Sequence, residues 1–372
     1  MVFFTEKTSL YTINQSKEKV TENILKTGAA KLWCQGFTGK NVVIAVLDTG
    51  CETAHPDLRN RIIGGCNFTN EHGGNINIYE DLNGHGTHVA GIIAASNNNG
   101  GLIGMAPDAK LLILKVLNKE GIGSLDSFIK AINYAIDWRG PNNERVNIIN
   151  LSLGTKNSNN EVYESIKRAI AFNISVVVSS GNDGDGDINT DEYSYPAYYE
   201  EVIAVGAINN ANKIAKFSNS NDNIDLYAPG VDIESTHLEK EFISLSGTSM
   251  AAPHVTGALA LLINRYELIT GTKPTEMELY NFLIKHTEQV KVTDTNTILL
   301  LNLANYDDTE INLINKELLI KCFGEVRKTQ AFFTQCLNDY CSPEDKEFLI
   351  SLIQESKSTT NKLKKLCYGI KP

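Results

Sequence analysis

The sequence predicts an α/β protein of three layers, α/β/α, with a mostly parallel central sheet and a small helical extension at its C-terminal end. Two observations carry this. Continuous β-branched and aliphatic runs recur at 41–47, 111–116, 146–151, 174–179 and 202–205, as in strands buried on both faces. Helical patterns at 85–96, 124–138 and 161–172 fall between them. Strands alternating with helices imply right-handed crossovers onto one parallel sheet. In such sheets ligands bind beyond the carboxyl ends of the strands. Asp48 and Asn182 fall there, after the first and fourth of these runs.

Taken in order, residues 1–25 read as an N-terminal arm, 26–303 as the α/β domain and 304–372 as the extension. Late in the domain, Ala251, Ala252, Gly257, Ala258, Ala260, Leu261 and Leu262 make a helix of small and aliphatic residues. Such a helix can run close to the sheet as a buried central element. Pro253 lies near its first turn, where a missing N–H costs little. Pro274 precedes an amphipathic helix at 275–285. In the extension, Leu313, Ile314, Leu318, Leu319, Cys322 and Val326 share one helical face. A second helix begins after Ser342-Pro343-Glu344, with Ser342 as N-cap and Asp345 in the first turn. Phe348, Leu349, Leu352 and Ile353 form its apolar face.

A chain of 372 residues, 42% hydrophobic and 21% charged, is ordinary for a globular protein. The segment 304–372 holds ten basic and ten acidic residues, so the formal charge of −10 belongs to the rest of the chain. That charge argues against nucleic acid as the main partner, because phosphate binding needs clustered Lys and Arg. It leaves room for bound cations. No apolar run approaches the length of a membrane span. Val2-Phe3-Phe4 stops at Thr5-Glu6-Lys7, short of a secretory apolar segment. The seven cysteines, Cys34, Cys51, Cys66, Cys322, Cys336, Cys341 and Cys367, are odd in number and include no paired C-x-x-C. Free thiols in a reducing compartment are the simplest reading. The expectation is a cytoplasmic protein with neither membrane nor nucleic-acid association.

Ser246-Gly247-Thr248-Ser249-Met250-Ala251-Ala252-Pro253-His254 places one serine hydroxyl at the start of the small-residue helix. A serine hydroxyl is a poor nucleophile at neutral pH and needs a base, itself oriented by a third group. Asn83-Gly84-His85-Gly86-Thr87-His88 supplies an imidazole, and Val46-Leu47-Asp48-Thr49-Gly50 a carboxylate. With Ser180-Gly181-Asn182 between them, these motifs in the order Asp, His, Ser resemble the subtilisin family of serine proteases. The resemblance covers roughly 33–301. It is strongest toward the intracellular subtilisins, through Asp48-Thr49-Gly50-Cys51 and the segments 181–187 and 201–206. Only about 40 residues precede the first core strand, where secreted subtilisins usually carry a signal peptide and a long prodomain.

The resemblance implies a serine endopeptidase with Ser249 as nucleophile, His85 as general base and acid, and Asp48 orienting the imidazole. Asn182 corresponds to the family's oxyanion residue, with Thr248 as an assistant. The glycines Gly84 and Gly86 are expected to let the backbone pass close to substrate. An extended peptide is expected to add as a strand between Ser152-Leu153-Gly154 and Gly121-Ile122-Gly123, with Leu153 and Leu125 lining apolar subsites. Calcium is the implied cofactor. One site takes the Asp57 carboxylate, the Asn98 side chain and the carbonyls of Ser96, Gly100 and Leu102; such hard oxygen donors suit this cation. A second, weaker site takes Asp225 with carbonyls near Ala197, Tyr199 and Val202. Protein or peptide substrates are the expected partners, and a homodimer is a further one.

Other features carry less. His88 follows His85 by three residues, yet two histidines alone make no metal site, and no H-E-x-x-H is present. His88 and His254 are expected to be structural. Asp183-Gly184-Asp185-Gly186-Asp187 fails as an EF-hand, since Ile188 takes the glycine position and Ser194 the closing glutamate position. Two readings stay open for it, an acidic rim to the primary specificity pocket and a solvated loop. Two also stay open for residues 1–25, a short inhibitory propeptide and a surface arm. The intracellular subtilisins carry Leu-Ile-Pro-Tyr in an inhibitory segment, whereas this chain has Ser9-Leu10-Tyr11-Thr12-Ile13 and no proline before Pro56. The leading function is a broad-specificity, calcium-stabilised protease acting through an acyl-enzyme on intracellular proteins. The alternatives are a processing protease dedicated to one precursor, for which the extension would be a docking module, and a pseudoprotease binding module.

Overall fold

A computed structural model describes residues 18–98, 100–293, 296–305, 329, 332–334, 336 and 343–368. Two compact units divide the chain at residue 306. In the first, β1 (Glu18–Lys19), α1 (Glu22–Lys26) and α2 (Ala29–Trp33) precede the first long strand, β2 (Val43–Asp48). The chain continues through β3 (Ile62–Asn67), α3 (His85–Ala94), β4 (Gly101–Leu102), β5 (Lys110–Lys115), α4 (Leu125–Asp137) and β6 (Ile148–Leu151). Then come α5 (Asn160–Ala171), β7 (Ser175–Ser179), β8 (Ile203–Ile208), β9 (Leu226–Pro229) and the hairpin of β10 (Ile233–Thr236) with β11 (Phe242–Leu245). The unit ends with α6 (Thr248–Thr270), α7 (Glu276–Lys285), β12 (Thr287–Lys291) and β13 (Thr297–Leu301).

The nine-stranded sheet has the order β12-β13-β9-β8-β7-β6-β2-β5-β3. Its pairs are parallel except β12 with β13. Along β2 alternate side chains point to opposite faces. Ile44 and Val46 join one core with Val89 and Ile93 of α3 and Leu259 and Leu262 of α6. Val43, Ala45 and Leu47 join the other with Phe128, Ile132 and Ile136 of α4 and Ile166 of α5. The layers are therefore α/β/α, as the buried aliphatic runs require. After β2 the chain crosses to the β3 and β5 side, and after β6 it moves outward through β7, β8 and β9 on the other side, so the crevice opens between the ends of β2 and β6.

Residues 18–25, assigned from sequence to the arm, pack into this unit. Glu18 and Lys19 pair in parallel with Gly101 and Leu102, and Ile24 is only 2% exposed. The Asn23 amide donates to His254 Nε2 at 2.8 Å. The remaining arm residues lie outside the described set. In the second unit α8 spans Pro343–Tyr368. Leu349, Leu352 and Ile353 are half-buried along it, whereas Phe348 is 66% exposed. The helical face expected at 313–326 and the Ser342 cap lie outside the described residues.

Candidate active site

Asp48 ends β2 and is fully buried. Its Oδ1 accepts from the Thr49 N–H at 2.7 Å and from His85 Nδ1 at 2.8 Å. His85 opens α3, and the loop before it is fastened by Asp81. One Asp81 oxygen accepts from the Asn83 and Gly84 N–H groups, the other from the Thr87 N–H and hydroxyl. Burial alone would depress the His85 pKa, but the Asp48 charge and hydrogen bond, joined by the Asp81 charge, raise it above the ordinary histidine value. Gly84 has φ +103°, and a Cβ there would meet His237 Nε2 at 2.0 Å, while one at Gly86 would meet the Gly50 carbonyl at 2.2 Å. Both glycines are thus required by close contacts inside the protein.

Ser249 is the second residue of α6. Its hydroxyl donates to the Ser152 carbonyl at 3.2 Å, so that proton must turn toward His85 for transfer. Such looseness is common before substrate binds. The Ser249 carbonyl accepts from the Ser152 hydroxyl at 2.9 Å. Pro253 explains this, because four residues on it has no N–H to donate. It lies in the second turn, not the first, and Ser152 satisfies the carbonyl it leaves open. Ser152 is itself held by Asn150 Nδ2 at 3.1 Å, and Asn150 Oδ1 by the Thr256 hydroxyl at 2.7 Å.

Asn182 follows β7 across the opening. Its Oδ1 accepts from both the N–H and the hydroxyl of Thr248 at 2.9 Å. The backbone donor fixes the amide orientation, with Oδ1 toward Thr248 and Nδ2 as the donor end of the side chain. From His85 a cleft of about 610 Å³ runs between Gly121–Gly123 and Ser152–Gly154, with Leu125 and Leu153 on its walls. All six expected substrate-binding residues line it. Phe128, Val162 and Tyr195, which the sequence reading did not single out, line it too.

Residues 39–303 match the family described as Subtilase family. The chain belongs to the subtilase family. It is 48% identical over 278 residues to the "Major intracellular serine protease" of Bacillus subtilis (strain 168), covering 74% of this chain and 85% of that protein. It is also 48% identical over 273 residues to the "Intracellular serine protease" of Paenibacillus polymyxa, covering 73% and 82%. To the "Subtilisin" of Bacillus pumilus it is 40% identical over 256 residues, covering 69% and 89%. The chain is a subtilisin-like serine endopeptidase.

Three residues that support the subtilase site have no local sequence signal. Lys115, fully buried at the end of β5, donates to the Thr49 carbonyl and pairs with Glu71 at 2.7 Å. It thereby clamps the segment that carries Asp48. Asn219, also fully buried, accepts from the Asp183 N–H at 2.7 Å and donates to the Ser180 carbonyl at 2.9 Å, shaping the turn that carries Asn182. Asp81 is the third. An acidic residue shortly before a helix was the only available hint for it.

Of the two calcium sets, the first is compact. Asp57 is 1% exposed; its carboxylate accepts from Asn98 Nδ2 at 2.9 Å and from the Leu102 N–H at 3.0 Å. A Cβ at Gly101 would come within 2.3 Å of Asp57 Oδ2, so only glycine leaves that side of the carboxylate clear. Ser96 and Gly100 stand in the same loop, and the Ser96 N–H donates to the Asp57 carbonyl at 2.9 Å. Turning the Asn98 amide exchanges its nitrogen for an oxygen donor. This set fits a hard cation. The Asp225 set is built differently. Its two oxygens already accept from the Ala204 N–H at 2.8 Å and the Tyr280 hydroxyl at 2.7 Å. Burial raises the Asp225 pKa despite those bonds, which disfavours the anion a cation needs. Ala197 and Val202 are buried beside it in sequence and Tyr199 is half-buried. Among the described residues no group of three or more His, Cys, Asp or Glu could hold a metal ion.

The decoys are structural in the subtilase. His88 faces the Ile243 carbonyl at 3.1 Å, and burial lowers its pKa to about 4. His254 donates from Nδ1 to the Met250 carbonyl at 2.8 Å and accepts from Asn23, and burial also lowers it to about 4. In the acidic loop, Asp185 accepts from the Asp187 N–H and the Thr190 hydroxyl, and Asp187 from Asn189. Asp183 pairs with Lys156 at 2.5 Å on the surface. The loop's carboxylates are thus occupied by their own chain.

Proposed function

We propose that the chain is a broad-specificity intracellular endopeptidase in which Ser249, His85 and Asp48 form the catalytic triad and Asn182 the oxyanion donor. The observation that carries this is the 2.8 Å Asp48–His85 pair at a cleft lined by His85 and Ser152, with the Ser249 hydroxyl on the Ser152 carbonyl and the Asn182 amide fixed by Thr248, the residue before Ser249. His85 takes the Ser249 proton as the hydroxyl attacks the scissile carbonyl, and Asp48 stabilises the imidazolium. Asn182 Nδ2 and the Ser249 N–H receive the oxyanion. His85 then protonates the leaving amine, and water releases the acyl group by the reverse sequence.

Breadth follows from the walls of the cleft. Gly121–Gly123 and Ser152–Gly154 offer main chain to an extended peptide, and main-chain pairing reads shape more than sequence. An intracellular setting is supported by the names of the relatives and by Cys34, Cys51, Cys66 and Cys336, which are free thiols. No described helix is long and apolar enough to cross a membrane. Calcium belongs to the Asp57 loop, where Asp57, Asn98, Ser96, Gly100 and Leu102 would hold it; bound there, it would tie the loop after α3 to the segment after β2.

The test is labelling by a fluorophosphonate probe together with hydrolysis of casein and unrelated peptides, for the wild type and Ser249→Ala. Labelling and hydrolysis in the wild type alone are expected. Labelling without casein hydrolysis would replace breadth with a dedicated substrate, and inertness toward both would overturn the triad.

A further inference from the structure

Beyond the catalytic cleft lies a second cavity of about 350 Å³, walled by Asn159, Tyr163, Tyr198, Tyr199, Glu200 and Glu201. It shares Asn159 and Tyr199 with the cleft, so it adjoins the end of the cleft that Val162 lines. The rings are fixed. The Tyr199 hydroxyl donates to the Asn159 carbonyl and accepts from the Asn159 N–H, both at 3.0 Å. The Tyr163 hydroxyl donates to Glu201 Oε1 at 2.6 Å. Ring centroids of Tyr163 and Tyr199 are 4.9 Å apart, and the Tyr198 ring is braced edge-on against Tyr193 at 4.5 Å.

With two hydroxyls tied down, this cavity offers aromatic rings and carboxylates. Glu201 Oε2 is buried without a hydrogen-bond partner, and Glu200 is exposed at the rim. The chain itself shows that the cluster takes a cation, because Lys167 Nζ lies 4.6 Å from the Tyr163 ring centroid. Lys167 is paired with Glu164 at 2.7 Å and also feels the Glu201 charge, so the exposed Glu200 is the carboxylate that Lys167 leaves to a visitor. Planar cations stack on such rings while donating to carboxylates, which a guanidinium does better than an ammonium.

We propose that this cavity is an exosite for an arginine side chain of the substrate. It would receive the residue beyond the one seated among Phe128, Leu153 and Val162, counting away from the scissile bond. The inference rests on the catalytic reading above, and it adds a preference for a basic residue distant from the bond cut.

The test uses the full chain and fluorogenic peptides sharing one cleavage sequence, with leucine placed for the apolar end of the cleft. Arginine, its neutral isostere citrulline, or glutamate is walked through the next three positions. At one position kcat/KM is expected to be roughly three- to tenfold higher for arginine than for citrulline, with the gain shrinking as salt is added. Glu200→Lys should reverse the order of arginine and glutamate, and Tyr198→Ala should shrink the arginine-to-citrulline ratio. Each ratio is internal to one enzyme preparation, so partial misfolding does not mimic the result. Equal rates for arginine and citrulline at all positions, with Ser249 still labelled by a fluorophosphonate, would overturn the exosite and leave the protease standing. No labelling and no cleavage would overturn both.

Discussion

Pro253 leaves the Ser249 carbonyl without its helical donor, and the Ser152 hydroxyl replaces it at 2.9 Å. Ser152→Ala should therefore cost about 1 kcal/mol and lower kcat, because the nucleophile's own peptide loses its anchor. Pro253→Ala restores an N–H at the right place, so it should recover part of that loss in the Ser152→Ala background. A double-mutant cycle of urea midpoints reads this directly, and strict additivity would refute the coupling. His85 gives a second prediction. Its pKa is raised chiefly because the Asp48 charge and hydrogen bond overcome burial. Activity needs the neutral imidazole, so kcat/KM should fall as pH drops through that raised value. The stability from the Asp48–His85 pair has the opposite sign. It is fully present below the ordinary histidine value and lost as pH rises through the raised one. Asp48→Asn should lower kcat roughly 10⁴-fold and move the acid limb to lower pH, since only the Asp81 charge then opposes burial. An unmoved limb in the pH–rate profile would show that Asp48 does not set the pKa.

At the scale of elements, Lys115 joins the end of β5 to Glu71, which follows β3, and to Thr49, which follows β2. Three segments meet at one buried ammonium. Removing it strands a largely buried carboxylate, so Lys115→Met should cost about 3–5 kcal/mol, while Lys115→Met with Glu71→Met should regain most of it. A single-variant cost under about 1 kcal/mol in urea unfolding would show the pair to be dispensable. This clamp also marks the limit of what the sequence discloses. The strands β2, β5, β6, β7 and β8 were legible because burial on both faces demands unbroken aliphatic runs. The others hide that signal. β3 carries Gly64 and Gly65, β9 ends on Pro229, and β12 is an edge strand of polar residues. In the site, Asp48, His85, Asn182 and Ser249 were legible because each sits in a compact local motif. Lys115 and Asn219 act through partners distant in sequence, and Asn150 reaches Thr256 as well as its neighbour Ser152; a buried polar residue inside an apolar run, such as Lys115 or Asn150, has no local signature of its role.

For the whole molecule, the loop after α3 is the place where folding and cation binding would meet. Ser96, Asn98 and Leu102 bond to Asp57, while Gly101 and Leu102 also pair with Glu18 and Lys19. A cation on Asp57, Asn98 and the carbonyls of Ser96, Gly100 and Leu102 would fasten the segment after β2, the loop after α3 and Glu18 and Lys19 of β1 together. Such a ligand binds the folded state alone, so it adds RT ln(1 + [L]/Kd), or about 2.7 kcal/mol at a hundred times Kd. The Ser249→Ala enzyme, which cannot digest itself on the proposed mechanism, is the suitable material for thermal unfolding. Millimolar calcium should raise its Tm over that in EDTA, and magnesium should do so much less, because Mg²⁺ demands a tighter octahedron than a carbonyl loop provides. Asp57→Asn should abolish the calcium response, whereas Asp225→Asn should leave it intact, since Asp225 is already committed to Ala204 and Tyr280. A response lost in Asp225→Asn and kept in Asp57→Asn would move the cation to the other set and show that the Tyr280 hydroxyl gives way to it.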